Sequence, residues 1–339
     1  MKWRGGTKGG EVKEQRLFCF EDPLKKVDGE ENVTMPSQVK KPLKKKIKNW
    51  FLYRLITFII SLLNFLPRDT AISLGGFLGK LAYFLIGEAR RKTLYNLNMA
   101  FGKSADGRKL RKLAYQVFKN VGKNVADAVR LKKMKREDIE RITEIEGLKY
   151  LDQVYKAGKG IIGLTGHIGN FELMAAYLTL RGYRLSVVGR ELYDPRLDRL
   201  LVENRENVGL ENISSSAGVK PILKALRAGK ILGVLADQDS SPVRGVFVDF
   251  FGRPARTPVG PALLAYKTGS PIVPMAIVRK YKNKYKIIVK PPVELTFSED
   301  REKDITDVTQ KFTKVLESII REYPDQWLWM HERWKSKPE

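Results

Sequence analysis

The segment GLTGHIGNFE, residues 163–172, contains one of the two histidines of the 339-residue chain and places it between two glycines. His167 precedes Glu172 by five positions. In one regular helix of 3.6 residues per turn, two such side chains would point about 140° apart. If His167 instead lies on a turn before the helix, with backbone freedom at Gly166 and Gly169, its imidazole can fold back and meet the Glu172 carboxylate.

A histidine paired with a carboxylate predicts general-base catalysis. The carboxylate fixes the tautomer and stabilises the imidazolium, so the other ring nitrogen can take a proton from a hydroxyl. This is the histidine–carboxylate half of a serine-hydrolase triad without an enzyme serine, so the attacking hydroxyl would belong to the substrate. We therefore predict direct acyl transfer from a thioester to an alcohol, with His167 as base and Glu172 as its partner. A helix-capping or structural histidine is the alternative.

The elements around His167 predict where it lies in the fold. From Gly147 onward, short β-rich runs alternate with amphipathic segments. Strands that alternate with helices of ten or more residues predict an α/β fold with a central, mostly parallel sheet flanked by helices. Ligands of such sheets bind beyond the carboxyl ends of the strands. His167 follows the predicted strand 161–165 and precedes a helix starting near Asn170, so we expect it at that edge.

The amino-terminal part of the chain predicts a membrane anchor. The apolar run from Trp50 to Leu66 spans 17 residues and follows a lysine-rich flank, as is typical of membrane-bound helices. Its length is at the short end of what crosses a bilayer, so a spanning helix, an in-plane helix and a buried core helix all stay open. A second apolar stretch, 71–87, is another interfacial helix or the first helix of the domain. The predicted division is a flexible basic leader at 1–45, an anchor helix at 46–67 and a catalytic domain at 68–339.

Composition limits the classes of function. The 63 Lys and Arg against 38 Asp and Glu give a formal net charge of +25, which favours acidic partners such as nucleic acid, anionic lipid or an acidic carrier. The charge is not accompanied by a zinc-finger, homeodomain or RNP-type pattern. The two histidines form no HExxH or comparable metal cluster, and the sole cysteine, Cys19, cannot form an internal disulfide. We expect no metal, no cofactor and no specific nucleic-acid partner.

The segment HIGNFE resembles the histidine, four residues, acidic residue motif of membrane glycerolipid and lipid A acyltransferases. Its Gly-Asn-aromatic-Glu form is similar to the bacterial lipid A biosynthesis acyltransferases of the lauroyl or myristoyl type. Further blocks resemble this family in the same order, namely VVGRELYDPRLD, GVLADQD, VDFFGRPARTPVGPALLAYKTGSPIVP and YPDQWLWMHERW. The similarity runs from about Trp50 to Trp334. Glycerophosphate-type acyltransferases share the histidine and acidic residue of this motif and differ in the other sequence blocks.

The resemblance implies roles for further residues. It makes His167 the general base and Glu172 its partner, and it places Arg190 against a phosphate of the acceptor or donor. The substrate-binding residues that it implies are Asn170, Arg190, Asp237, Gln238, Arg253 and Arg256. The resemblance also makes Asp239 line the site together with Asp237 and Gln238, at the end of the strand ILGVL, and a solvated loop explains Asp239 equally well. Surface salt bridges are an alternative for Arg253 and Arg256.

Two segments rich in apolar or aromatic residues follow in the second half of the chain. GVFVDFFG, residues 245–252, is interpreted as a loop that lines an acyl groove, dips into lipid or packs in the core. In the carboxyl-terminal WLWMHERW we interpret His331 as structural and Arg333 as a lid over the site.

The resemblance also implies a reaction and a location. The enzyme would move a fatty acyl chain from acyl carrier protein or coenzyme A to a hydroxyl of an anionic glycolipid, by family membership a lipid A precursor. Relatives acylate other acceptors, such as phosphatidylinositol mannosides or glycerophospholipids, so the acceptor stays open beside the rival reading of a basic nucleic-acid-binding protein. The implied location is the inner membrane with the catalytic domain facing the cytoplasm. An in-plane anchor keeps that domain on the side of its thioester donor, whereas a spanning helix behind a cytoplasmic lysine flank would not.

Overall fold

The computed structural model describes residues 43–102, 105–240 and 243–338, with side chains from residue 49 onward. Most of the predicted leader, including Cys19, lies outside the described residues. The first helix begins at Leu43, inside the predicted leader, and the predicted anchor corresponds to it. The helices of the amino-terminal part are α1 (Leu43–Phe65), α2 (Arg68–Leu85), α3 (Gly87–Phe101), α4 (Gly107–Ala128) and α5 (Arg136–Ile142).

A seven-stranded sheet follows, with the strand order β1-β9-β8-β2-β5-β3-β4. Neighbouring strands run parallel except β8 and β9, which are antiparallel, so the predicted mostly parallel α/β sheet is confirmed. Its strands are β1 (Thr143–Glu146), β2 (Ile161–Thr165), β3 (Leu185–Gly189), β4 (Glu211–Ser214), β5 (Ile231–Leu235), β8 (Ile272–Arg279) and β9 (Tyr285–Val289). The helices between and after them are α6 (Leu148–Lys156), α7 (Phe171–Leu180), α8 (Pro195–Glu206), α9 (Val219–Arg227), α10 (Gly260–Thr268) and α11 (Arg301–Glu322).

Both faces of the sheet are covered, which explains why its central strand is buried throughout. All five residues of β2 are buried. Ile161 belongs to the core on the α6 and α7 side, whereas Ile162 and Leu164 belong to the core beneath α9, α10 and α11. Alternate residues of a strand point to opposite faces, so a parallel strand between two helical layers is rich in apolar residues on both faces.

The amino-terminal helices are fixed to the sheet by close packing and by a buried carboxylate. A Cβ atom on Gly75 of α2 would lie 2.5 Å from the carbonyl oxygen of Gly122 of α4, so only glycine allows these helices to cross so closely. At the end of α4, Asp127 is fully buried and accepts hydrogen bonds from Arg68, Arg279 and Tyr285. Stretch 71–87 is thus mainly α2, a helix packed within the domain.

The segment 245–252 is not the predicted loop. It forms strand β6 (Gly245–Phe250), which pairs antiparallel with β7 (Arg253–Pro258) in a hairpin. The partner strand contains two prolines and two arginines and has low β propensity, so the hairpin is hard to recognise from sequence. Phe250 and Phe251 are buried against the tryptophans near the carboxyl terminus, and core packing is therefore the correct interpretation for both.

Helix α1 packs on the domain along one side and leaves the other exposed. Leu63 is buried against Ala71 and Ala126, and Asn64 donates a 3.1 Å hydrogen bond to the carbonyl of Val129. Large apolar side chains remain exposed on α1 and α2, among them Phe51, Leu55, Phe58, Phe65, Phe77, Leu81 and Phe84. Over the described ranges, no helix by itself combines the length and apolarity needed to cross a membrane, although α2 and α3, bent at 90°, meet that test as a pair by length and composition.

Candidate active site

The loop that follows β2 depends on two glycines. Gly169 has a φ of 61°, and a Cβ atom there would lie 1.8 Å from the carbonyl oxygen of Ile277. At Gly166 a Cβ atom would lie 2.9 Å from Oδ2 of Asp237. Gly166 therefore leaves room for the Asp237 carboxylate. Gly169 adopts a backbone conformation that other residues rarely adopt. His167 lies between them at the carboxyl edge of the sheet, where the sequence predicts it.

The partner of His167 is Asp237, which follows the neighbouring strand β5. Nδ1 of His167 lies 2.8 Å from Oδ1 of Asp237, and the backbone N–H of His167 donates a 2.7 Å hydrogen bond to Oδ2. The indole N–H of Trp327 donates a further 2.6 Å bond to Oδ2. One carboxylate thus fixes the ring and its loop. The His167 side chain is 26% exposed and that of Asp237 only 1%, so the ring connects a buried charge to the surface.

The electrostatics of this pair suit a base. Burial opposes the charged form of His167, but the charge and hydrogen bond of Asp237 outweigh it and raise the pKa of the imidazole. Burial alone would raise the pKa of Asp237, yet His167, with the Trp327 and backbone hydrogen bonds, lowers it to about 2. The carboxylate therefore stays ionised while the imidazole can gain and lose a proton. Nε2 of His167 makes no hydrogen bond to the described residues and is the nitrogen left for a substrate.

The predicted contact between His167 and Glu172 is not formed. Glu172 lies in the first turn of α7 and accepts two hydrogen bonds from Arg205 of α8, at 3.0 and 2.6 Å. The two side chains are 14% and 12% exposed. A guanidinium is always charged and matches a carboxylate with two parallel bonds, so it is a stronger partner for Glu172 than an imidazole that is neutral part of the time.

Three predicted substrate-binding residues, Asn170, Gln238 and Arg190, lie in different environments. Asn170 is buried and caps α7, because its side-chain oxygen accepts from the backbone N–H of Leu173 at 3.2 Å. Its amide also donates to the carbonyl of Asn124 at 3.3 Å, so its described contacts are structural. Gln238 is half-buried beside Asp237, and Arg190 is exposed after β3 with no hydrogen bond or ion pair to the described residues.

The other predicted cations hold loops together. Arg253 donates a 2.9 Å hydrogen bond from Nε to the carbonyl of Met99. Arg256 donates to the carbonyls of Ser240 and Val243 and lies 3.6 Å from the Asp239 carboxylate. Asp239 is almost fully buried, so the solvated-loop interpretation of this residue is wrong.

The carboxyl-terminal segment, residues 326–336, forms one wall of the site. Its main chain is hydrogen-bonded to the loop that contains His167. Gly169 donates to the carbonyl of Gln326 at 2.8 Å, and Leu328 donates to the carbonyl of His167 at 3.0 Å. The role of Trp327 is missing from the sequence prediction, where only the clustering of tryptophans in this block hinted at it. Arg333 is no lid, since it is buried and its guanidinium bonds the carbonyl of Arg256 and the hydroxyl of Thr257.

His331 makes no described hydrogen bond with the pair of His167 and Asp237, here called the dyad, although it lies close enough for their charges to act on it. Burial, followed by the nearby charge of Lys335, lowers its pKa, so its neutral form is favoured. Across the part of the chain that the structure describes, no group of three or more His, Cys, Asp or Glu side chains could hold a metal ion.

Two apolar cavities meet at Glu172. One, of about 50 Å³, lies between α7 and the sheet and is lined by Gly163, Met174, Val187, Gly233 and Met275. The other is a groove of about 240 Å³ between α1 and α8, lined by Ile56, Ile60, Leu197, Leu200 and Leu201. Arg205 also lines the first cavity, so the Glu172–Arg205 ion pair lies at the border between the two apolar cavities.

Comparison with known proteins identifies relatives of the whole site-bearing region. The family model described as bacterial lipid A biosynthesis acyltransferase matches residues 38–336. A lipid A biosynthesis lauroyltransferase of Escherichia coli K12 is 28% identical over 280 residues, which cover 81% of this chain and 88% of that protein. A phosphatidylinositol mannoside acyltransferase of Mycobacterium tuberculosis CDC 1551 is 28% identical over 223 residues, covering 64% of this chain and 68% of the relative. A lipid A biosynthesis acyltransferase of Haemophilus influenzae is 25% identical over 282 residues, covering 80% and 84%.

Proposed function

Because the chain belongs to the bacterial lipid A biosynthesis acyltransferase family, we propose that it transfers a fatty acyl chain from a thioester to a hydroxyl of a glycolipid. The observation that carries this proposal is the pair of His167 and Asp237 at the carboxyl edge of the sheet. It provides an oriented base with a free Nε2 and needs no enzyme nucleophile.

The proposed step moves one proton and exchanges one bond. Nε2 of His167 accepts the proton of the acceptor hydroxyl while its oxygen attacks the carbonyl carbon of the thioester. The carbon–sulfur bond then breaks, and the imidazolium returns the proton to the leaving thiolate, so an ester and a free thiol are formed. Asp237 stabilises the imidazolium through Nδ1 and stays ionised, as its low pKa allows.

We assign Glu172 a different part from the one that its motif position suggests. Its carboxylate is held by Arg205 at the border of the two apolar cavities. In the proposed complex the ion pair positions the wall along which the acyl chain enters, and the apolar side chains beyond it contact that chain. The donor, acyl carrier protein or coenzyme A, delivers the thioester from the open side of His167.

The proposed acceptor is an anionic glycolipid, with a lipid A precursor as the first candidate. The relatives named for lipid A biosynthesis match about four-fifths of this chain. The mannoside acyltransferase covers a smaller share at the same identity, so a phosphatidylinositol mannoside is the second candidate. Both acceptors are anionic, in keeping with the net charge of +25.

We further propose that the enzyme lies on the cytoplasmic face of the inner membrane, with its exposed apolar face in the lipid. Phe51, Leu55 and Phe58 of α1 and Phe77 and Phe84 of α2 form this face. An in-plane contact of this kind combines apolar burial with attraction of lysines to anionic lipid. Replacing Phe51 and Phe58 with Asp should release the protein from phosphatidylglycerol vesicles in a flotation assay, and unchanged binding would contradict this location.

Acyl transfer is tested with purified enzyme, a long-chain acyl thioester and one acceptor at a time. The acceptors are a phosphorylated lipid A precursor, a phosphatidylinositol mannoside and a lysophospholipid. We expect a new ester, seen by mass spectrometry, and one free thiol per ester formed with the first acceptor. Ester formation on the mannoside alone would select the second candidate. Loss of transfer on chelation, restored by zinc, would contradict the proposed mechanism.

A further inference from the structure

We propose that a cationic cleft between α3 and the carboxyl-terminal segment binds a phosphate group of a substrate. The cleft has a volume of about 390 Å³. Its lining residues are Arg91, Lys92, Tyr95, Asn96, Glu332, Trp334, Lys335 and Lys337. This inference rests on the proposed acyl transfer, and adds to it a site for the charged part of a substrate.

The charge of the cleft is unbalanced. Four cations and one carboxylate line it, which leaves a net charge of +3. Lys92 is paired, with Glu88 at 2.8 Å and Glu332 at 3.6 Å. Arg91, Lys335 and Lys337 are exposed and form no ion pair with the described residues. Three cations without a carboxylate partner around one concavity favour a ligand with more than one negative charge, such as a phosphate.

A buried donor without an acceptor gives a second, independent sign of a ligand. Trp334 lines the cleft and is only 3% exposed. Its indole N–H is buried and has no hydrogen-bond partner among the described residues. Leaving such a group unsatisfied is costly, on the order of 1–3 kcal/mol. A small shift of the carboxyl-terminal segment on ligand binding would bring this donor to an acceptor atom in the cleft, such as a phosphate oxygen.

The cleft is joined to the dyad by the carboxyl-terminal segment. This segment contributes Trp327 to Asp237 and Trp334 and Lys335 to the cleft, and Lys337 follows directly after it. Asn96 fixes it to α3, because its amide donates to the carbonyls of Trp329 and His331. A phosphate held here would be bound by the same chain segment that donates a hydrogen bond to Asp237.

The cleft and the apolar cavities involve different elements. The cavities are lined from α1, α7, α8 and the strands, with Glu172 common to both, whereas the cleft is lined from α3 and the chain terminus. In this proposal the acyl chain and the phosphate therefore contact different elements of the fold. The phosphate has two sources, the glycolipid acceptor or the phosphopantetheine of the donor, and the experiment distinguishes them.

The test compares the Arg91→Ala/Lys335→Ala variant of the full chain with a matched control that loses two exposed cations at the opposite edge of the sheet, Lys159→Ala/Arg227→Ala. Calorimetric binding of inorganic pyrophosphate is measured first, without an acyl donor. We expect binding about 10- to 100-fold weaker in the cleft variant than in the control, as the loss of charge-assisted hydrogen bonds predicts. The conservative Arg91→Lys/Lys335→Arg variant should restore most of it.

Kinetic measurements of ester formation then identify the source of the phosphate. One arm compares a phosphorylated glycolipid with its phosphate-free counterpart, and the other compares acyl-phosphopantetheine with acyl-pantetheine. The cleft variant should raise KM, with kcat little changed, only for the phosphorylated member of one pair. Equal pyrophosphate binding in the cleft and control variants, or equal KM effects on both members of both pairs, would overturn the proposal. Cleft-dependent pyrophosphate binding without any ester formation would instead leave the cleft in place and refute the acyl transfer.

Discussion

Two carboxylates, Asp237 and Glu172, lie next to the loop that contains His167, and they have different kinds of partner. Asp237 faces an imidazole that can take up or release a proton and is partly open to solvent. Glu172 faces a guanidinium that stays charged at any accessible pH, and both members of that pair are largely buried. A carboxylate beside a titratable partner can assist proton transfer, whereas one beside a permanent cation can only hold a position. The comparison separates a carboxylate that can assist chemistry from one that holds a position, although both lie next to the loop of His167.

The largest effect is expected for His167→Ala. The variant lacks the base, so kcat for ester formation should fall by roughly 100- to 10,000-fold. Circular dichroism and vesicle binding should be unchanged, because the ring is partly exposed and the loop's main-chain hydrogen bonds remain. A wild-type turnover rate in this variant would remove His167 from the mechanism.

Asp237→Asn is expected to come next. The amide keeps the shape of the side chain but loses the charge and permits the wrong imidazole tautomer, so we expect roughly a 100- to 10,000-fold loss of kcat. The residual activity should have a changed pH profile. The carboxylate raises the pKa of His167, so its removal lowers that pKa and the acidic limb of kcat/KM should move to lower pH. A limb that stays in place would show that another group titrates.

Glu172→Gln should cost less in rate than Asp237→Asn, about tenfold or below, because no proton passes through this pair. Its thermal stability should fall, since Arg205 is left buried without its partner. The matched measurement is a double-mutant cycle with Arg205→Gln. The two losses should be non-additive, by 0.5–3 kcal/mol as an order of magnitude for groups in contact. A loss of kcat as large as that of Asp237→Asn would break the distinction between the two carboxylates.

The smallest effect is expected for Arg190→Ala, which removes a cation that lies outside both pairs. Arg190 is exposed and makes no ion pair with the described residues, so its loss should not change stability. If it contacts a phosphate, KM for a phosphorylated substrate should rise by about 2- to 10-fold with kcat unchanged. An equal effect on a phosphate-free substrate would indicate a different contact.

Much of this arrangement could be predicted from local sequence. The alternation of strands and helices gives the sheet, and the strand before His167 gives its place at the carboxyl edge. The polar residues after the strand ILGVL include Asp237, although the prediction gave it a substrate contact and gave the histidine to Glu172. The two partners lie 70 residues apart, and only the strand order, which places β5 next to β2, brings them together. Nearness in the chain favoured Glu172, but Arg205, 33 residues further on, binds it.

The position of Trp327 has a consequence for how the enzyme is made. The indole that completes the hydrogen bonding of Asp237 lies 90 residues after it in the chain, and the parts of a chain that are synthesised first also fold first, at about 5–20 residues per second. We therefore expect the nascent chain to form a nearly complete sheet before Trp327 is available to bond Asp237. Chains stopped before residue 327 should form no ester in an assay on stalled ribosomes, and activity should appear once residues 326–336 have emerged.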